Sequence, residues 1–130
     1  MKHHLKYKYR PLTLKEAASL TVNDPDPIGW KLHLFNVVDD FRRYPSKRLL
    51  AEPPDNSLDT KLSALFTATA WALCVEKKVP VPLWIKQFPP LEIPWFVSGF
   101  VSLRAMTLRD CPVYFRQKNV WVMKDFLLRV

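Results

Sequence analysis

The hydrophobic positions of residues 57–78 form the clearest helical pattern of the chain. Ser57 is a typical cap residue, and the face that follows it consists of Leu58, Leu62, Leu65, Phe66, Thr69, Ala72 and Leu73. Lys77 and Lys78 end the pattern, where positive charge stabilises the carbonyl end of a helix. The pattern predicts a central core helix, with four large side chains that we expect to be nearly fully buried: Leu62, Leu65, Phe66 and Leu73.

A shorter helix is predicted near the start of the chain. Thr13 and Glu16 have the spacing of a capping box, so this helix should begin after Thr13 and fade near Thr21. Residues 12–18 also read like the first helix of a helix-turn-helix DNA binder. The basic recognition helix that should follow is missing, so we do not expect that motif here.

A longer helix is predicted over roughly residues 27–43. Asp26 followed by Pro27 is a favourable pair at a helix start. The expected buried stripe consists of Ile28, Leu32, Phe35, Val38 and Phe41, widened by Trp30, Leu34 and Val37. Pro45 ends the helix, and residues 46–51 should add one turn.

The stretch from Val79 to Phe96, which we call the Pro-aromatic segment, breaks the helical periodicity. It contains Pro80, Pro82, Pro89, Pro90 and Pro94 among the aromatic residues Trp84, Phe88, Trp95 and Phe96. Because proline fixes φ and lacks a backbone donor, the segment excludes a long helix or a central strand and leaves room for one turn at 83–87. So much apolar surface must lie against the protein's own core or against a partner.

The C-terminal part predicts only short elements. Residues 102–109 and 112–118 are typical of short helices, residues 120–122 of a strand, and residues 124–129 of a final helical turn. We therefore expect a mainly α fold. It is a single-domain helical bundle of residues 1–130, crossed by the Pro-aromatic segment, with at most a short strand or hairpin near the C-terminus.

The composition excludes several functional classes. The chain has 130 residues with two glycines and twelve prolines, so no Gly-rich phosphate-binding loop can be formed. Cys74 and Cys111 are far apart in sequence, which indicates free thiols in a reducing compartment. The longest uncharged run, residues 62–75, is too short to span a bilayer. We expect a cytoplasmic protein with no cofactor and no membrane partner.

Positive charge is concentrated at the two ends of the chain. The formal net charge is +8, of which residues 1–10 and residues 101–130 each contribute +4. We expect residues 1–10 to form a basic N-terminal segment that can be mobile. This distribution favours an anionic macromolecule, either nucleic acid or an acidic protein, over an anionic small substrate.

Candidate catalytic and metal-binding groups are few. Cys111 lies at a predicted helix N-terminus, which favours a thiolate, but the adjacent Asp110 opposes it. His3, His4 and His33 have no spacing typical of a metal site. We therefore predict no catalytic residue and no metal ligand, and a protein that is not an enzyme.

The acids Asp39 and Asp40 and the bases Arg42 and Arg43 lie near the end of the helix predicted over residues 27–43. Neighbours one residue apart on a helix point in different directions, so Asp39 and Asp40 do not form a catalytic pair. We expect a solvated helix face, on which Asp39 and Arg43 form an i, i+4 ion pair.

The strongest candidates for partner binding lie in the C-terminal half. Tryptophan and arginine dominate interface energies, and the prolines hold their segment in one conformation before binding. The candidate partner-binding residues are Trp84, Trp95, Phe96, Arg104, Arg116 and Trp121. A protein-binding role predicts at least one substantially exposed tryptophan. A purely structural role predicts that these side chains complete the core beneath a solvated basic face.

Short motifs along most of the chain carry a resemblance to a known family. They are LTLKEAA at 12–18, LLAEPP at 49–54, PVPLW at 80–84, PWF at 94–96, SLRA at 102–105, Pro112 with Phe115 and Arg116, NVWV at 119–122 and LRV at 128–130. The chain resembles a family of small, uncharacterised bacterial proteins, often regarded as the antitoxin-like half of a two-gene pair. The resemblance implies a partner that is typically nucleotidyltransferase-like, and it transfers no functional residues. Some members carry a DNA-binding module that is not recognisable in this sequence.

The sequence leads to two functional hypotheses of different classes. The first is a non-enzymatic macromolecule-binding protein, antitoxin-like or accessory, that binds and masks a partner protein. The alternative is a basic, sequence-tolerant DNA- or RNA-binding protein that uses the two chain ends. The identity of the partner, the oligomeric state and the regulation are left open by the sequence.

Overall fold

Helices make up most of the structure, a computed structural model that describes residues 9–129. In chain order its elements are α1 (Leu14–Val22), α2 (Trp30–Arg43), a 3-10 helix (Lys47–Leu50), α3 (Thr60–Glu76), α4 (Leu83–Gln87), β1 (Trp95–Phe96), a second 3-10 helix (Val101–Leu103), α5 (Arg104–Asp110), α6 (Val113–Arg116) and β2 (Val120–Trp121). The predicted mainly α fold class is therefore confirmed.

The first helix begins where the capping box predicts it. The Thr13 hydroxyl accepts a hydrogen bond from the Glu16 backbone N–H at 3.1 Å, and the Glu16 carboxylate accepts one from the Thr13 N–H at 3.0 Å. These bonds satisfy donors that the first turn of a helix leaves unpaired. α1 ends close to the predicted end and buries Leu14, Ala17 and Ala18.

The second helix begins at Trp30, later than the sequence predicts. Asp26 does not cap it, because the Asp26 carboxylate accepts the Ile28 N–H in a turn that precedes the helix. Gly29 occupies the N-cap position, and a Cβ atom there would lie 2.1 Å from Oδ2 of Asp24. The glycine allows this carboxylate to come close. The predicted start at residue 27 is wrong because turn side chains take the backbone donors first.

The buried face of α2 also differs from the predicted stripe. Ile28 and Leu32, which were predicted to be buried, are 58% and 62% exposed. Trp30, Leu34 and Val37, which were predicted to lie at the edge of the stripe, are buried. The buried hydrophobic residues of α2 are Trp30, Leu34, Val37, Val38 and Phe41. Apolar residues surround so much of this helix that its sequence supports more than one face, and packing against α1 and α3 selects one of them.

The third helix is the centre of the core, as predicted. Ten of its 17 residues are buried, and it contacts α1, α2, α4, α6 and β2. The fully buried side chains include Leu65, Phe66 and Leu73. Leu62 is only half-buried, so the expectation for this residue is wrong. Asp59, not Ser57, caps the helix, which places Leu62 in the first turn near solvent.

The Pro-aromatic segment lies along the protein's own core. Ile85 of α4 is fully buried, and the partly buried side chains that pack against the core include Trp84, Phe88, Leu91 and Trp95. The Asn119 amide donates to the Leu91 carbonyl at 2.9 Å, and the buried Lys118 ammonium donates to the Phe88 carbonyl. These side chains satisfy carbonyl groups that an irregular, proline-rich backbone cannot pair within itself.

The predicted strand near the C-terminus is confirmed at Val120–Trp121, and its partner is β1 of the Pro-aromatic segment. The two strands are parallel, so they do not form a hairpin. Parallel neighbours require a crossover connection, and here that connection contains α5 and α6. After β2, residues 124–127 form turns in place of the predicted final helical turn.

One helix stands apart from the rest. A cluster of buried hydrophobic residues draws on α1, α2, α3, α4, α6 and β2, whereas α5 contributes none of its members. Only Thr107 of α5 is buried. Among residues 9–129, every helix is too short or too polar to cross a lipid bilayer.

Candidate partner-binding surface

Four of the six predicted partner-binding residues meet in one cluster. The rings of Phe96 and Trp121 stack with centroids 6.1 Å apart and 21° between their planes. The Arg104 guanidinium lies 5.0 Å from the Phe96 ring centroid, and the Arg116 guanidinium lies 5.6 Å from that of Trp121. At these distances the ring quadrupole attracts a cation. We call these four side chains the arginine–aromatic cluster.

The parallel pairing of β1 and β2 creates this cluster. Phe96 is opposite Trp121 in the sheet, so both rings lie on one face. Trp95 is opposite Val120, which is fully buried, so Trp95 belongs to the face that packs on the core. Strand alternation therefore separates Trp95 from the cluster, although it is the neighbour of Phe96 in sequence.

Arg116 and Trp121 are held by hydrogen bonds within the chain. Nε of Arg116 donates to the Cys111 carbonyl at 2.7 Å, and Nη2 donates to the Arg109 carbonyl at 2.8 Å. These carbonyls belong to the C-terminal end of α5, where a positive group is favourable. Nε1 of Trp121 donates to Oδ1 of Asn119 at 2.9 Å. The cluster is therefore organised within the isolated chain.

Trp84 lies apart from the other candidates, in α4. Its Nε1 donates to the Leu50 carbonyl at 3.1 Å and so joins α4 to the first 3-10 helix. The structure gives this residue a packing role. The expectation of a substantially exposed tryptophan is not met, because Trp30 is buried and the other tryptophans are half-buried: Trp71, Trp84, Trp95 and Trp121.

The large exposed apolar side chains next to the cluster were not among the sequence candidates. They belong to residues 100–108, which we call the exposed arm: Phe100, Val101, Met106 and Leu108 are between 42% and 71% exposed. Gly99, with φ of 75°, turns the chain from β1 into the arm. Met106 and Leu108 are two residues apart in α5 and hence on different sides of it. Apolar residues on two sides of a short helix cannot both face one core. This pattern is the sequence signal that could have identified the arm.

An open apolar groove lies between the start of the arm and α2. Its volume is about 450 Å³, and its apolar lining includes Trp30, Phe35, Val97, Phe100, Val122 and Phe126. Lys31 and Asp125 supply its charged groups. Phe100 therefore belongs to both the groove and the arm, which makes the two one continuous apolar surface.

Neither cysteine is placed for nucleophilic chemistry. Cys111 is buried, and burial raises the pKa of its thiol. Its sulfur accepts the Val122 N–H at 3.5 Å, while the neighbouring Asp110 pairs with Arg109 at 3.0 Å. Burial raises the pKa of Cys74 to about 11. Both groups are therefore neutral thiols at physiological pH.

The acids at the end of α2 join distant parts of the chain. The predicted Asp39–Arg43 pair is wrong, because Asp39 pairs with Arg129 at 3.1 Å. Asp40 is buried instead of solvated, and it accepts hydrogen bonds from the Tyr9 hydroxyl and from the Leu12 N–H. The Asp39–Arg129 and Asp40–Tyr9 contacts join residues that are 90 and 31 positions apart in sequence. A rule based on local spacing could therefore not predict them.

The described residues contain no cluster of three or more side chains suited to a metal ion. His33 lies 2.8 Å from a carboxylate oxygen of Asp24 and is engaged in that contact. His3 and His4 lie outside the described residues, as does most of the predicted basic N-terminal segment. Of that segment, Tyr9 and Arg10 are described, and both contact acids of the chain.

Comparison of the chain with protein-family models, with curated proteins and with solved structures gives no match. The resemblance to antitoxin-like proteins therefore stays a prediction from the sequence. Because no tryptophan is substantially exposed, the functional argument rests on the exposed arm and on the arginine–aromatic cluster at its base.

Proposed function

We propose that this protein is a non-enzymatic protein that binds and masks a partner protein, as an antitoxin-like or accessory protein does. The observation that carries the proposal is the exposed arm. Four large apolar side chains within residues 100–108 are between 42% and 71% exposed. Single exposed apolar residues are common, whereas four of them concentrated within nine residues of one segment point to an interaction site.

The arginine–aromatic cluster supports the proposal because it fixes the base of the arm. Arg104 begins α5 and lies over Phe96, and Arg116 holds the carbonyls at the other end of α5. An arm that is fixed before binding loses less conformational entropy on association. Burial of the arm by a partner would remove its apolar side chains from water, at about 25 cal/mol per Å² of apolar surface.

The chemistry of the arm favours a partner with an apolar groove that is rimmed by acids. Phe100 and Val101 of the arm would fill the partner's groove, and the exposed Arg104 would face the acidic rim of that groove. The resemblance found in the sequence names a nucleotidyltransferase-like protein as the type of partner. A cytoplasmic location is part of the same proposal, and the two unpaired, buried cysteines support it.

The test uses two leucines that are equally exposed. Leu108 on the arm is 48% exposed and Leu20 on α1 is 46% exposed. The full chain, as wild type, Leu108→Asp or Leu20→Asp, is co-expressed with the product of the neighbouring gene and purified. Mass spectrometry identifies the co-purifying protein, and its enzymatic activity is assayed with and without the bound chain.

We expect the wild type and Leu20→Asp to co-purify with the partner and to suppress its activity. Leu108→Asp should bind at least tenfold more weakly, a loss of about 1.4 kcal/mol. It should unfold at the same temperature as the wild type, because Leu108 is exposed. Equal binding by both variants, or a wild type that binds no partner, would contradict the proposal.

A further inference from the structure

Two exposed tyrosines form a pair at the C-terminal end of α2, remote in sequence from the arm. Tyr9 is 57% exposed and Tyr44 is 45% exposed. Their ring centroids are 6.4 Å apart, and their planes differ by 32°. Tyr44 follows the last residue of α2, and Tyr9 lies before α1, so the pair exists only in the folded chain.

The Tyr9 ring is held in place although most of it is in water. Its hydroxyl donates to the Asp40 carboxylate, with 2.7 and 2.8 Å to the two oxygens, and the Leu12 N–H donates to the same carboxylate at 2.7 Å. Asp40 is only 6% exposed. The buried acid therefore fixes the tip of the ring, while more than half of the surface of Tyr9 stays exposed. A fixed aromatic face is suited to stacking, because little side-chain entropy is lost on binding.

Unneutralised positive charge flanks Tyr44 along the chain. Arg43 is the last residue of α2, next to Tyr44, and Lys47 and Arg48 follow on the 3-10 helix. All three are exposed, and within the described residues none of them forms an ion pair with an acid. The nearest acids of α2 are engaged elsewhere, Asp39 with Arg129 and Asp40 with Tyr9.

We propose that Tyr9, Tyr44 and Arg43, with Lys47 and Arg48, form a binding site for single-stranded nucleic acid. Unpaired bases would stack on the tyrosine rings, and the basic side chains would contact phosphates. A duplex keeps its bases stacked inside, so it can offer only phosphates to this site.

An acidic protein fits this surface less well than a nucleic acid. Carboxylates would pair with the basic groups, but they have no aromatic face to stack on the two rings. The stacking is sequence-tolerant because every base has a π-face. The site therefore distinguishes paired from unpaired nucleic acid, and not one base sequence from another.

The first experiment measures binding of the full chain by fluorescence anisotropy. The probes are labelled oligo-dT and oligo-U of about 15 nucleotides, which covers one single-strand site, and a mixed-sequence duplex of the same length. We expect both single strands to bind, with affinity that falls steeply as salt rises. The duplex should bind at least tenfold more weakly. Equal affinity for the two single strands, or tighter binding of oligo-U through its 2′-hydroxyls, supports the site.

The second experiment repeats the titration with Tyr44→Ala and Arg43→Gln. Loss of one stacking ring should weaken single-strand binding by about fivefold or more. Arg43→Gln should also weaken it and reduce its dependence on salt. Lys31→Gln is the matched control, since it removes one charge from the same helix about 18 Å away.

Three results would overturn the proposal. They are duplex binding as tight as single-strand binding, wild-type affinity in both Tyr44→Ala and Arg43→Gln, and an equal loss in Lys31→Gln, which would mean that only net charge matters. Arg43 is exposed, so its variant should fold normally and keep the test decisive if Tyr44→Ala unfolds. One further result would contradict the proposal. In that case the chain binds no single strand, but it binds an acidic partner protein and loses that binding in Arg43→Gln.

Discussion

α3 and α5 both contain large apolar residues, but the fold treats them differently. α3 buries ten of its 17 residues and contacts most of the other elements. α5 buries only Thr107, and Met106 and Leu108 remain in water. A large apolar side chain on a helix is therefore not always buried in this chain. What distinguishes the two helices is the number of elements that surround each of them.

The two helices are also held in different ways. In α3, buried threonines donate to carbonyls of the same helix, as Thr67 does to Ser63 at 2.7 Å, so that every face can be packed. α5 is attached mainly by polar contacts at its ends. Arg116 binds the carbonyls of Arg109 and Cys111, and Arg104 lies over Phe96. The attachment leaves the apolar side chains of α5 available.

The largest expected effect on stability is in α3, the buried helix of the two. Leu65→Ala removes a fully buried side chain from the middle of α3. We expect a loss of about 2–5 kcal/mol in the free energy of unfolding, because the rigid neighbours leave a cavity. Urea denaturation of the two proteins measures the difference.

The control for Leu65 lies on the same helix. Leu62 is half-buried in the first turn of α3, so Leu62→Ala should cost clearly less than Leu65→Ala. If the two variants lost equal stability, or if Leu65→Ala cost less than about 1 kcal/mol, α3 would not be the centre of the core.

A smaller effect is expected where the arm joins the core. If Arg116 acted only in partner binding, Arg116→Ala would leave the melting temperature nearly unchanged. The structure shows two hydrogen bonds from Arg116 to carbonyls of α5, so we now expect a loss of about 1 kcal/mol. Thermal unfolding measures the loss, and faster hydrogen exchange of the α5 amides would locate it.

Arg104→Ala is the matched control for Arg116→Ala. Arg104 lies over an aromatic ring, as Arg116 does. Within the described residues, however, Arg104 donates no hydrogen bond to a carbonyl group, whereas Arg116 donates two. We expect Arg104→Ala to change stability by less than Arg116→Ala. The reverse order would mean that the cation–π contacts, and not the hydrogen bonds, attach the arm.

The smallest effect on stability is expected in the arm itself. Leu108→Ala removes a side chain that is 48% exposed, so the free energy of unfolding should change by no more than about 0.5 kcal/mol. Denaturation of the variant beside Leu65→Ala makes the comparison direct. A loss as large as that of Leu65→Ala would show that Leu108 is buried in solution, and it would remove the arm as a docking surface.

Local rules accounted for part of the fold. The capping box of Thr13 and Glu16, the central helix and the strand at Val120–Trp121 follow from spacing and were predicted. The buried face of α2 was not, because apolar residues surround too much of that helix. The partner of β2 was also missed, since parallel pairing joins segments with a long connection between them.

The candidate site was predicted by residue type and not by position. Phe96, Arg104, Arg116 and Trp121 come together as a cluster, but Trp84 and Trp95 pack elsewhere. The arm was missed although Met106 and Leu108 fit no single buried face of α5, and the tyrosine pair was missed because no local feature marks two distant rings as neighbours.

The sequence by itself determined which segments form helices, where prolines interrupt them and which residue types are available for binding. These properties depend on contacts within a few residues, which spacing reveals. The tertiary structure decided which apolar faces are buried, that Asp39 and Asp40 bind Arg129 and Tyr9, and that α5 stays in water. Those outcomes depend on contacts between residues far apart in sequence, and such contacts exist only once the whole chain is packed.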